Sequence, residues 1–135
     1  MVTLKEWHRL LKTASEYDLD AGGFADPRGG CIAFWVGPYN KPEGYAWEIT
    51  AEALSYPREY LGEVSPEWRG DEIVAWKVYT INYSQIRDLA SPKDRGKAVN
   101  VPEHVEWVQK EFSRLHREIL GREVDVPFVV WEDES

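Results

Sequence analysis

The chain reads as a single α+β domain spanning residues 1–135, and three observations carry that reading. An amphipathic helix with its own start signal opens the sequence. A run near 73–81 carries apolar groups on both faces. A 3-4 apolar stripe follows Pro102. Hairpin-like strands with segregated helices favour α+β over a doubly wound parallel sheet. The expectation is a mostly antiparallel sheet of about four strands, near 31–36, 44–50, 73–81 and 126–131. An N-terminal helix over 3–17 and a long C-terminal helix over 102–120 pack it.

Thr3 and Glu6 form a T-x-x-E capping box, with Val2 and Trp7 spaced as a hydrophobic staple. Leu4, Trp7, Leu11 and Ala14 then recur at helical steps. Residues 18–30 hold four glycines and Pro27 and read as a loop. Cys31–Val36 is a wholly apolar run, and Tyr45, Trp47 and Ile49 alternate with Ala46, Glu48 and Thr50. Together they read as a hairpin with a wide loop. Thr50 is positioned to cap a short helix from Ala51, restarted at Pro57 and closed by Gly62. Ser65-Pro66-Glu67 resembles a second helix start, stopped by Gly70.

Ile73–Ile81 is interrupted only by Lys77, which predicts a central strand. Asn82 or Ser84 starts a short helix, and a polar segment runs through Asn100. Pro102 opens the longest helix, with Val105, Val108, Phe112, Leu115 and Ile119 on one stripe and Gly121 at its end. Val126–Trp131 reads as a last strand, held to an edge or a strand start by Pro127.

Twenty-four acidic against sixteen basic residues give a net charge of −8. That field repels phosphate backbones and anionic lipid, which disfavours direct nucleic-acid or membrane binding and favours a basic protein partner. The densest acidic patch is the Trp131-Glu132-Asp133-Glu134-Ser135 segment. No apolar run approaches the ~18 residues of a membrane span, no export signal follows Met1, and a single cysteine supports no internal disulfide framework. A cytoplasmic location is expected. Scarce Asn, Gln, Met and Cys beside many Glu and Arg is a thermophile tendency.

Metal and cofactor motifs are missing. His8, His104 and His116 fit neither H-E-x-x-H nor diiron spacing. Asp18-x-Asp20 lacks the Glu of a calcium loop, with Gly29 in its place. Gly22-Gly23 and Gly29-Gly30 match no phosphate-binding pattern. Cys31, opening an apolar strand, reads as a buried structural thiol. No cofactor is implied.

The aromatic distribution is more informative, at 13% of the chain. Trp7, Trp47, Trp76 and one of Phe34 and Trp35 belong to periodic segments and read as core. Phe24 lies within the glycine loop, Tyr39 in the hairpin loop, and Trp68 between Pro66 and Gly70. Trp107 points about 120° from the centre of its helix's apolar stripe, at about 100° per residue, and shares its side with Glu111, Arg114 and Glu118. It is either covered by another segment or open to a partner. Arg95 belongs to a local basic stretch with Arg87, Lys93 and Lys97.

These features favour a small acidic regulatory or inhibitory protein that binds a larger partner, such as a polymerase or nuclease whose cleft is basic. The expected contact residues are Trp107, Trp68, Tyr39, Glu111, Arg114 and Arg95, because aromatics bury much area at low rotamer cost. The competing reading is a small enzyme or ligand sensor. Its pocket would lie under the 18–30 loop and use carboxylates with His104 or His116.

Overall fold

A computed structural model describes residues 1–16, 21–22, 26–37, 59–80 and 100–131. The elements run β1 (Val2–Thr3), α1 (Leu4–Glu16), β2 (Ala21–Gly22), β3 (Cys31–Val36), β4 (Glu59–Arg69), β5 (Glu72–Thr80), α2 (Pro102–Leu120) and β6 (Phe128–Val130). The expected strand near 44–50, the helices expected from Ala51 and from Asn82 or Ser84, and Phe24, Tyr39, Trp47 and Arg95 lie outside the described residues.

The sheet order is β1-β5-β4-β3-β2, with β6 also on β5. All pairings are antiparallel except β5 with β6. β5 is therefore central: β4 runs along one edge, and β1 and β6 share the other. Pairing on both edges is what its apolar run predicts; Trp76, Val78 and Thr80 are buried on one face, while Lys77 and Tyr79 on the other are half-buried.

Both described helices pack on one face of the sheet. The rings of Trp7 from α1 and Phe112 from α2 lie 5.6 and 4.6 Å from Trp76 of β5. Val2, Leu10, Ile32, Phe34, Val64, Val78, Val108 and Leu115 complete the core around them. Of the adjacent pair, Phe34 faces this core and Trp35 is only half-buried.

The capping box forms as the spacing requires. Thr3 N–H donates to Glu6 Oε1 at 3.1 Å, and Glu6 N–H donates to Thr3 Oγ1 at 3.3 Å. Glu6 also receives the Arg122 guanidinium through two contacts of 2.5 and 2.9 Å, which ties the start of α1 to the chain leaving α2. α2 begins on Pro102 and ends on Gly121 at φ 73°, whose N–H donates to Arg117 O.

β4 departs from the sequence expectation. Gly62 does not close a helix, and Ser65-Pro66-Glu67 does not start one; both lie inside an eleven-residue strand. At Gly62 a Cβ would stand 2.3 Å from Tyr79 O, so a close strand approach, not a helix end, explains the glycine. Pro66 lies beyond Val64, where β4 has lost its β3 neighbour and is paired on one edge only. A missing N–H is tolerated there. Gly70 and Asp71 then form the two-residue turn into β5, with Gly70 at φ 61°.

Cys31 is half-buried, not buried as expected. It is the first residue of β3, opposite Gly22, where strand-end packing is thin. No helix among the described residues is long and apolar enough to cross a membrane.

Candidate functional site

The expected contact residues fall on different elements. Trp68 is half-buried near the end of β4, packs against the core, and donates its indole N–H to Arg28 O at 2.8 Å. Arg28 in turn donates to Gly70 O at 3.1 Å and pairs with Asp71, so Trp68 and Arg28 clamp the β4–β5 turn. Trp107 is likewise half-buried against the core, which favours the covered alternative over a bare anchor. On the same helix Glu111 and Arg114 form an i,i+3 ion pair at 2.5 Å. Among the described members of that set, these two form the pair in contact.

The histidines of the competing reading are also placed. His116 is fully buried beside Trp76 and Phe112, with ring centroids 6.4 and 6.2 Å away. Its Nδ1–H donates to Arg122 O at 2.7 Å, which leaves Nε2 as the unprotonated nitrogen, buried without a partner. Burial holds its pKa below the ordinary histidine value. His104 is half-buried at the start of α2, and desolvation lowers its pKa as well. Among the described residues no three His, Cys, Asp or Glu side chains converge as a metal set would.

The large apolar surface lies instead on β6. Val129, Val130 and Trp131 are 44%, 39% and 41% exposed. Phe128 points back to Phe112, 6.1 Å between centroids, which holds the strand on the core. Trp131 packs against Tyr79 of β5 in a tilted pair, 5.3 Å between ring centroids. Ser65, Lys77, Tyr79 and Trp131 line a groove of about 280 Å³. Val64, Trp76, Val78 and Thr80 face α1 and α2, so the groove lies on the opposite face of the sheet, where none of the described helices packs.

Backbone bonding fixes Trp131. Trp76 N–H donates to Pro127 O at 3.0 Å, and Trp131 N–H to Val78 O at 2.8 Å. The next bond of this parallel ladder would join Thr80 N–H to Trp131 O. The Asn100 amide takes that place, accepting from Thr80 N–H at 3.0 Å and donating to Trp131 O at 2.8 Å.

Sequence reasoning placed this strand at an edge but passed over Tyr79, Lys77, Val129, Val130 and Trp131 as a surface. The signal was available. An edge strand with one inward face needs apolar residues only at alternate positions, whereas Phe128–Trp131 is apolar throughout and Glu132-Asp133-Glu134 follows at once. Comparison with family models, with curated proteins and with solved structures returns no match.

Proposed function

We propose that this chain is a small acidic binding protein that docks on a larger protein with a basic surface, using β6 and the face of the sheet opposite α1 and α2. The carrying observation is the exposed pair Val129 and Trp131 on that face, beside Lys77 and Tyr79, with Trp131 held in place by Tyr79 and Asn100; Val130, also exposed, alternates to the other face. A tryptophan already ordered in the free protein loses little entropy on binding.

Charge selects the partner's sign. Glu63 lies in register beside Tyr79. In the sequence, Glu132, Asp133 and Glu134 follow Trp131 directly. An apolar centre flanked by acids suits a partner with an apolar pocket rimmed by Lys and Arg. The basic cleft of a nucleic-acid-handling enzyme such as a polymerase or nuclease has that chemistry, and occupying it would be inhibitory or regulatory. At about 280 Å³ the groove falls just below the usual span of small-ligand pockets, roughly 300–1,000 Å³. A protein side chain fits it better than a cofactor.

Affinity capture from cells of the source organism tests this, with the wild type beside Trp131→Ala and a neutralised Glu132→Gln/Asp133→Asn/Glu134→Gln variant. The expected result is a partner retained by wild type at low salt, weakened at high salt or by neutralisation, and lost with Trp131→Ala. Equal capture by all three chains would overturn the proposal.

A further inference from the structure

On the reading that this face binds a protein, we infer that the partner contributes an extended, basic segment that adds as a strand to the outer edge of β6. The hydrogen bonds already described fix the direction of every peptide group there. Pro127 O and Trp131 N–H point at β5. Because neighbouring peptide groups of a strand alternate, both groups of Val129 also face β5, and the N–H and C=O of Phe128 and Val130 face away. β6 pairs only with β5 among the described residues, so these four outward groups carry no ladder bonds there.

Such an edge is a template for another strand. Sheets guard their edges with charges, bulges or covering segments; here the side chains beside the open groups are exposed valines and a tryptophan. Strand addition satisfies the peptide groups and covers the apolar side chains in one step. Charge decides the occupant. A second copy would bring another net −8. A segment alternating apolar and basic residues would place its apolar side chains beside Val129 and Trp131, while its cations are drawn by the net charge of −8.

The probe is a synthetic peptide of alternating lysine and valine, seven residues long. Its controls are the glutamate–valine analogue and the lysine–valine peptide N-methylated at alternate amides, which cannot pair. The readout is amide hydrogen exchange resolved by residue, with binding followed by chemical-shift titration. We expect the cationic peptide to slow exchange at Phe128 and Val130 at least tenfold, with both controls inert. Val130→Pro removes an outward N–H and no β5 ladder bond, so the fold should survive while peptide binding falls at least tenfold. If that variant misfolds, the N-methylated peptide decides alone.

No slowing at Phe128 and Val130 at millimolar peptide overturns strand addition. So does equal binding of the N-methylated peptide, or a wild-type chain that dimerises with these amides already protected. If Trp131→Ala loses binding while Val130→Pro and the N-methylated peptide bind normally, strand addition fails but the binding face stands. If no variant or control matters, both readings fail.

Discussion

Replacing Glu6 by Gln keeps an amide oxygen for the Thr3 N–H but removes the charge that Arg122 grips. The Arg122 hydrogen bonds hold the Glu6 carboxyl at about 2, against an ordinary 4.5, with burial opposing them. At 1.36 kcal/mol per tenfold change in proton affinity, that depression corresponds to about 3.4 kcal/mol. The two side chains are 26% and 37% exposed, so solvent screening reduces the expected contribution to about 1.5 kcal/mol. A folded-state pKa below the unfolded one means the contribution is complete above pH 4.5 and disappears as pH falls through about 2. Denaturant titration of wild type and Glu6→Gln at pH 7 and pH 2.5 checks this. The expected gap is about 1.5 kcal/mol at pH 7, mostly closed at pH 2.5. A gap equally wide at both pH values, or none at pH 7, would refute the reasoning.

His116 is folded as the neutral imidazole, while an unfolded histidine takes a proton near pH 6.5. Stability should be greatest above pH 6.5 and fall as pH drops below it, and His116→Leu should flatten that slope by up to one proton. Gly62→Ala should destabilise by about 3 kcal/mol or more by chemical denaturation, because its Cβ meets backbone at 2.3 Å. Trp107→Ala should cost about 1–3 kcal/mol, between a surface site and a core aromatic, since Trp107 is half-covered; Phe112→Ala, at the stripe's centre, should cost about 3–5 kcal/mol.

Where one physical rule governed a segment, the sequence was enough. The Thr3–Glu6 cap, the stripe from Val105 to Ile119, the Gly121 stop and the central place of β5 each answer to local geometry and one packing direction. β4 failed because Gly62 and Pro66 were read as punctuation. Their meaning is tertiary: Tyr79 O crowds one, and β3 ends before the other. The alternation of Val64, Pro66 and Trp68 with Ser65, Glu67 and Arg69 was there to be weighed against them. Trp68 and Trp107 stood out as misplaced by helical or turn periodicity, but Arg28 and the core supply their neighbours across the fold. Trp131 did not stand out, because exposure at a sheet edge depends on which strand lies beside it and which does not. His116 stands four residues after Phe112 and three before Ile119, on the buried face, so its spacing already marked it as core; what the sequence does not show is that Arg122 O satisfies its Nδ1–H.

On the proposed function, Trp131 is a binding residue held in place and not a packing one. The measurement is the pair of free energies for Trp131→Ala: unfolding by denaturant titration, and binding to the captured partner by calorimetry. The structure predicts a stability loss below about 1.5 kcal/mol, because a 41% exposed ring on Tyr79 gives up only part of a buried aromatic's area. It predicts a binding loss of about 2 kcal/mol or more. A variant that binds as tightly as wild type, or one whose weakened binding is matched by a stability loss of about 3 kcal/mol or more, would contradict it.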